Sequence, residues 1–310
     1  MRAAFALLTA LLLSGCVIDD FESSDRYQED FHYTWDLQAD GRVNAESFNG
    51  SIEITGWDQN KVEIFGTKFA STKEMLAAVK IDIHHTPEAI EIRAVKPSFR
   101  MGGMGARFTM HVPRHAQLDR ITASNSAIRV HDVARAAHLQ SSNGSIKAGN
   151  VGGDVEARTS NGSIDVESVI GAATLRTSNG RIHAENVEGA LDADTSNGAI
   201  TVRLESAPGG PLRLMSSNGS IDLTLTKAPR NTIRAETRNN SITVHLPSAT
   251  AARVIADTAN SDISSEFDLT TRYHHEGRKN HLDGMIAGGG PNIQLSTNNG
   301  RIRILRDHLD

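Results

Sequence analysis

Apolar and polar residues alternate in short runs along most of the chain after residue 30. The alternation is clear in Ile146-Lys-Ala148, Val155-Glu-Ala157 and Ile164-Asp-Val166. A period of two is typical of β-strands with one buried face. Turn residues separate these runs at regular distances, so the pattern predicts an all-β protein.

The turns between the runs repeat one short phrase. Ser-Asn-Gly-Ser-Ile occurs at residues 142–146, 160–164 and 217–221, and close variants occur elsewhere. The recurring Asn falls every 18 residues and then every 21, with a last copy 39 residues further on and an outlying copy near the N-terminus. The ten positions are Asn49, Asn125, Asn143, Asn161, Asn179, Asn197, Asn218, Asn239, Asn260 and Asn299. A hairpin is the competing interpretation of one Asn-Gly pair, but hairpins do not explain a fixed period.

A second turn marks the opposite side of each unit. Gly153, Gly171 and Gly189 follow their Asn by ten residues, so each unit consists of strand, Gly turn, strand and Asn-Gly turn. Units of fixed length predict a parallel β-solenoid (β-helix) with coils of 18–21 residues, each stacked on the one before. We expect the Asn side chains to form a hydrogen-bonded ladder and the turn Asn and Gly to adopt positive φ.

The two ends of the repeat are less regular. Residues 31–120 are predicted to be an irregular, β-rich N-terminal part that caps the solenoid, and residues 121–310 to be the regular repeat domain. The capping-box spacing from Ser71 to Glu74 predicts one short helix before Val79. Residues 101–105 are expected to form a loop, as is the segment 272–290, which interrupts the repeat.

The first fifteen residues have the form of a cleaved secretory signal peptide. Arg2 precedes an apolar run that ends at Leu13, and the run is too short to span a bilayer. The sequence from Leu13 to Cys16 resembles the lipobox of bacterial lipoproteins, which implies a covalent lipid on Cys16. Val17 in the sorting position implies the outer membrane, on its periplasmic face or at the cell surface. An ordinary signal peptide with a chance Cys, or a buried N-terminal helix, is the alternative.

Residues 16–30 are acidic and polar, and they predict a flexible tether after the lipidated Cys16. Cys16 is the only cysteine, which excludes a disulfide framework and a Cys-based zinc site. The net charge of −5 offers no basic face for nucleic acid, and an aromatic content of 5% argues against stacking platforms for bases.

The order of motifs resembles that of the DUF4097 family of bacterial envelope proteins, which carries an adhesin label. Val112-Pro113 leads into serial Ser-Asn-Gly-x-Ile turns, and the Gly-rich segment 284–290 precedes a final turn at 297–302. The resemblance covers roughly residues 35–305. It implies an extended repeat domain outside the cytoplasm, with no enzymatic residues to carry over.

Candidate chemistry is sparse. His274, His275 and His281 are the best metal ligands, but no Cys accompanies them, so we expect a solvated polar loop and no metal. An enzyme on this fold needs converging carboxylates. The column that follows the repeated Ile instead mixes charges, as expected of a solvated face; it comprises Arg129, Lys147, Asp165, His183, Thr201, Asp222 and Thr243.

These features predict a lipid-anchored β-solenoid of the cell envelope that acts as a non-catalytic structural or adhesin-like binding module. The only cofactor expected is the lipid on Cys16. The expected partners are the membrane and either an envelope glycan or another envelope protein, whereas nucleic acid is excluded. Regular Asn, Ser and Thr edges could hydrogen-bond a glycan or serve the turns alone. The alternatives are a carbohydrate-active lyase or hydrolase and an envelope stress-response partner.

Overall fold

The computed structural model describes residues 26–97, 103–271 and 279–307. It contains a 13-stranded sheet, here sheet A, a 14-stranded sheet, here sheet B, and one helix. The predicted all-β parallel solenoid is confirmed. The proposed signal peptide, Cys16, His274 and His275 lie outside the described residues. Within those residues, no helix has the length and hydropathy needed to cross a membrane.

The strands of the first part of the chain are β1 (Tyr27–Asp36), β2 (Arg42–Ser47), β3 (Ile52–Trp57), β4 (Lys61–Ala70), β5 (Lys80–Thr86), β6 (Ala89–Val95) and β7 (Met104–Pro113), with helix α1 (Lys73–Ala78). The strands of the serial coils are β8 (Gln117–Ala123), β9 (Ile128–Val133), β10 (Ala137–Ser141), β11 (Ile146–Val151), β12 (Val155–Arg158), β13 (Ile164–Val169), β14 (Ala173–Thr177), β15 (Ile182–Val187), β16 (Leu191–Thr195), β17 (Ile200–Leu204), β18 (Leu212–Ser216), β19 (Ile221–Leu225), β20 (Ile233–Glu236) and β21 (Ile242–Pro247). The last strands are β22 (Ala252–Thr258), β23 (Ile263–Ser265), β24 (Leu269–Thr271), β25 (His281–Ile286), β26 (Asn292–Thr297) and β27 (Ile302–Asp307).

Each coil contributes one strand to each sheet, and equivalent residues stack in parallel register. Ile146 of β11, for example, pairs with Ile128 on one side and Ile164 on the other. All three side chains are fully buried between the sheets. Because burying such a side chain contributes roughly 1.5–3 kcal/mol, the apolar columns hold the coils together.

Two coils are out of sequence order. Strands β2 and β3 stack directly on β8 and β9, so the coil that carries Asn49 is the first coil of the solenoid and not an outlying copy. At the other end, β26 and β27 lie between the coil of β20 and β21 and the coil of β22 and β23. Residues 291–307 therefore form an inner coil, although they come last in the chain.

Strand β1 and strands β4 to β7 extend both sheets beyond the first coil and form a cap. In sheet A, β7 pairs in parallel with β3, and β4 and β1 follow as antiparallel strands. In sheet B, β6 pairs in parallel with β2, and β5 follows as an antiparallel strand. Helix α1 joins the two sheets, and its N-cap is Thr72, whose hydroxyl accepts a hydrogen bond from Met75 N at 3.2 Å. The capping box predicted at Ser71 is therefore wrong by one residue.

Three predicted boundaries also need correction. Residues 27–30 belong to β1 and not to a tether, because Asp30 and its neighbours pair in register with β4. Met104 and Gly105, expected in a loop, begin β7, where both are buried. Part of the predicted loop 272–290 is strand β25, which pairs antiparallel with β22 and β24.

The turn glycines serve close packing, and the prediction of positive φ is wrong for the Asn-Gly turns, whereas Asn150 and Asn186, beside the Gly turns, do have positive φ (53° and 52°). Among the described glycines of the repeat turns, only Gly50 has a positive φ (117°), and none of the ladder Asn residues has one. A Cβ on Gly162 would lie 2.0 Å from the carbonyl oxygen of Gly144 in the preceding coil. Glycine is needed because successive turns touch through their backbones.

Candidate functional site

The repeated Asn side chains form one continuous ladder along the edge of the rod. Each Nδ2 donates to Oδ1 of the next coil towards the cap at 2.7–2.8 Å. In ladder order the residues are Asn49, Asn125, Asn143, Asn161, Asn179, Asn197, Asn218, Asn239, Asn299 and Asn260. Asn49 ends the ladder by donating to Met104 O at 2.9 Å. The amides thus bind one another, which favours a structural role for the whole column.

A buried column of hydroxyls runs beside the ladder, and it was missed by the sequence analysis. Thr177 Oγ1 donates to Gly162 O at 3.0 Å and accepts from Gly180 N at 3.2 Å, which ties two coils together. The same donation to a carbonyl of a neighbouring coil or of the cap is made by Ser47, Ser141, Thr159, Thr177, Thr195, Ser216, Thr237, Thr258 and Thr297. All nine lie two residues before a ladder Asn, and this fixed offset could have revealed them.

The charged columns of both sheets are largely paired across coils. Arg176 contacts Asp192 at 2.8 Å and Asp194 at 3.3 Å, and Arg213 also contacts Asp192 at 2.8 Å. In sheet A, Lys147 stands beside Asp165 in register. Exposed pairs of this kind contribute little each. The carboxylates here belong to mixed-charge faces, as the sequence predicted.

Of the three candidate metal residues, only His281 lies within the described part of the chain. His281 Nδ1 lies 2.5 Å from Asp257 Oδ1 on the neighbouring strand. Within residues 26–97, 103–271 and 279–307, no group of three or more His, Cys, Asp or Glu side chains is arranged to hold a metal ion.

Aromatic side chains are concentrated in the cap. Of those in the described residues, all except Phe267 lie between residues 27 and 108. Counting aromatics over the whole chain hides this, because the long repeat dilutes them. Two of them, Tyr33 and Phe65, are 39% and 43% exposed. The cap is therefore the part of the rod where rings reach solvent.

Four rings form a row across four adjacent strands of sheet A, on its outer face. His32 of β1 stacks on Phe65 of β4 with centroids 4.3 Å apart and planes 2° apart. Phe65 meets the ring of His111 on β7 at 6.2 Å, and His111 meets Trp57 on β3 at 5.3 Å. We call these four residues the ring row. Alternation along each strand places them on one face of the sheet.

A carboxylate lies within the ring row. Glu63 is 3.0 Å from His32 Nε2 through Oε1 and 3.5 Å from His111 Nδ1 through Oε2. At the Trp57 end, Arg114 Nε donates to Asp58 at 2.9 Å, and this hydrogen bond lowers the pKa of the Asp58 carboxyl. The row thus combines apolar ring surface with fixed polar groups.

A groove of about 610 Å³ opens beside the ring row. His32 and Phe65 form part of its wall, together with Phe31 and Gly66. The other lining side chains carry hydroxyl, carboxylate or guanidinium groups; they are Asp30, Ser51, Glu53, Thr67, Arg107 and Thr109. We call it the cap groove. Thr67 donates to Asp30 at 2.7 Å, and Arg129 holds Glu53 at 2.8 Å, so both carboxylates are fixed in place.

A smaller groove of about 330 Å³ lies on the opposite edge of the coils, where it follows the turns that end the sheet A strands. Val133, Val151 and Val169 line it, together with Ile170, which is 61% exposed. Polar and charged side chains border this apolar strip; they are Arg114, Asp132, Asn150, Ser168, Asn186 and Glu188.

A comparison with curated proteins finds no match. Two solved structures each match over 90% of this chain. A "putative cell adhesion protein" from Clostridium sporogenes is 10% identical, has a TM-score of 0.22 and is matched over its whole chain. A "putative adhesin" from Bacteroides fragilis is 11% identical, has a TM-score of 0.37 and is matched over 97% of its chain. These superpositions are too poor to carry a functional argument. A family model matches residues 42–305. The chain belongs to the Toastrack DUF4097 family.

Proposed function

We propose that the protein is a lipid-anchored, non-catalytic binding module of the bacterial cell envelope, and that it binds a glycan in the cap groove. The observation that carries the proposal is the ring row beside a groove lined by hydroxyls and fixed carboxylates. The Asn ladder and the hydroxyl column are engaged with neighbouring coils, which favours the cap over those two columns as the binding surface.

The chemistry of the cap groove fits a sugar. A pyranose ring has an apolar C–H face and a rim of hydroxyls. Phe65 supplies apolar surface, while Asp30 and Glu53 are acceptors for sugar hydroxyls. Ligand sites combine apolar walls with a few placed polar groups in this way.

The position of Cys16 supports an envelope glycan as the ligand. Arg26, the first described residue, lies ten positions after Cys16, and strand β1 begins at the next residue, Tyr27. Fully extended, the segment from Cys16 to Arg26 would reach at most about 35 Å. A lipid on Cys16 would therefore hold the cap within that distance of the membrane surface.

Glycan binding is tested by cosedimentation of the purified protein with isolated peptidoglycan and with other envelope polysaccharides. Phe65→Ala removes apolar surface from the wall of the groove and should weaken binding at least tenfold. Ile170→Ala is the matched control, because it removes an exposed apolar side chain from the smaller groove, and it should bind normally. Equal binding by wild type and Phe65→Ala would refute the cap groove as the site.

The same assay separates binding from catalysis. Asp30 and Glu53 both line the cap groove, and paired carboxylates are the groups that glycosidases use. Shortening of the glycan by wild type, abolished by Glu53→Gln, would replace the proposed binding module with a carbohydrate-active enzyme. We expect the glycan to be recovered at its original length.

Anchoring is tested separately. Wild-type protein should incorporate labelled palmitate and partition into the membrane fraction, whereas Cys16→Ser should do neither. Membrane partitioning of Cys16→Ser equal to that of wild type would contradict the lipid anchor.

A further inference from the structure

Strand β1 is the open edge of sheet A at the cap end. It pairs with β4 through ten consecutive residues without a register shift, and no other described strand pairs with its second side. The edge strands at the opposite end, β23 and β24, have three residues each. Long edges without proline or bulges are templates for pairing with another strand.

The side chains of β1 are arranged for a particular partner. Asp30 and His32 flank Phe31 and lie on the outer face, whereas Phe31, Tyr33 and Trp35 alternate with them on the inner face. Tyr33 is 39% exposed although it lies in the aromatic stack between Phe31 and Trp35. Such an edge, with exposed aromatic surface on one face and an acidic residue two positions before a histidine on the other, is suited to a strand that places a histidine opposite the acid.

We propose that β1 pairs antiparallel with β1 of a second copy of the protein, with Phe31 at the two-fold axis. This register places Asp30 opposite the partner's His32, and Phe31 opposite the partner's Phe31. Such cross-strand pairs stabilise a sheet, whereas like charges placed opposite one another destabilise it. Parallel in-register pairing would set Asp30 against the partner's Asp30. Antiparallel pairing about Tyr33 would set Asp30 against the partner's Asp36. Charge therefore favours the register about Phe31 over these two alternatives.

The other open edge at this end has the same pattern. In β5, Asp82 and His84 flank Ile83, and Trp35 stacks on His85 at 4.7 Å between the two edges. Pairing about Ile83 would again place an Asp opposite a His. Both edges of the cap thus favour an antiparallel copy of the same chain.

Pairing would place two cap grooves on one continuous outer face of sheet A, since β1 and its symmetry mate belong to the same sheet. If the proposed function holds, one dimer would engage two sites on a polymeric glycan, and its avidity would exceed the affinity of one site.

The test uses the mature lipidated protein in detergent, without glycan, and measures the mass of the protein component by light scattering. Wild type should be a dimer. His32→Asp should be a monomer because each Asp30 then faces an Asp, and Asp30→Lys should be a monomer because two basic groups then face each other. Co-expressed with different tags, the two variants should co-purify, since each supplies the charge that the other needs. Thr201→Asp, an exposed change in the middle of sheet A, should remain a dimer.

Rescue by mixing requires both variants to be folded, so a folding defect cannot mimic it. A monomeric wild type, or single variants that stay dimeric, would overturn the proposal. Because dimerisation is measured without glycan, its failure leaves the result with Phe65→Ala unaffected.

Discussion

The Nδ2 atom of Asn299 lies 2.8 Å from Oδ1 of Asn239, although 60 residues separate them. Asn260, which comes between them in the sequence, stacks on the far side and donates to Asn299 at 2.7 Å. The coil that comes last in the sequence, which carries Asn299, therefore lies between the coils of Asn239 and Asn260. The ladder stays continuous because the inserted coil supplies its own Asn at the same place.

This order of coils predicts which Asn pairs are energetically coupled. A double-mutant cycle between Asn239→Ala and Asn299→Ala, followed by urea unfolding, should give a coupling of about 0.5–1.5 kcal/mol, the usual contribution of one hydrogen bond. The cycle between Asn239→Ala and Asn260→Ala should give none, since those side chains do not touch. A coupling in the second cycle and none in the first would show that the coils stack in sequence order, and it would contradict the inserted coil.

The buried hydroxyl column should contribute more per residue than the exposed ladder. Thr177→Val keeps the shape of the side chain but leaves Gly162 O and Gly180 N without their hydroxyl partner, so we expect a loss of about 1–3 kcal/mol in the free energy of unfolding. Thr177→Ser should recover most of it. Thr201→Val, at an exposed strand position, is the matched control and should change stability by less than about 0.5 kcal/mol. Equal losses at both sites would contradict the role of the column.

The turn glycines should be sensitive to a single methyl group. Gly162→Ala places a Cβ 2.0 Å from Gly144 O, a backbone atom that cannot move without shifting a coil. We expect a cost of about 1–3 kcal/mol, measured as a lower thermal midpoint. A Cβ added at Gly149 would instead lie 2.7 Å from Nδ1 of His131, and this exposed imidazole can rotate away. Gly149→Ala should therefore have a clearly smaller effect, and a larger effect there would contradict the close-packing argument.

The repeat was predictable because its signal is local. Each 18-residue unit contains the alternation and the turn residues that predict its own strands and turns. The register between coils such as those of Asn143 and Asn161 therefore follows from their 18-residue spacing. The positions of Asn49 and Asn299 were not predictable in this way, because they depend on pairing between segments far apart in the chain. The φ of the Asn-Gly turns was predicted wrongly, since contact between coils and not the local turn conformation requires the glycine there.

The cap site was not predicted for a similar reason. His32, Phe65, His111 and Trp57 come from four strands that are brought side by side by antiparallel and parallel pairing, and nothing in their spacing indicates it. The available signal was compositional, since nearly all described aromatics precede residue 109. The buried Thr and Ser column, by contrast, was visible at a fixed offset from the Asn.

The central claim, that the outer face of the cap binds a glycan, is tested most directly by tryptophan fluorescence. The chain has two tryptophans: Trp57 lies in the ring row, whereas Trp35 stacks on His85 at the rod end. Trp35→Phe leaves Trp57 as the reporter, and Trp57→Phe leaves Trp35. Titration with soluble fragments of the glycan that cosediments with the protein should give a saturable change in Trp35→Phe and little change in Trp57→Phe. A saturable signal confined to Trp57→Phe, which reports on Trp35 at the rod end, would contradict the account.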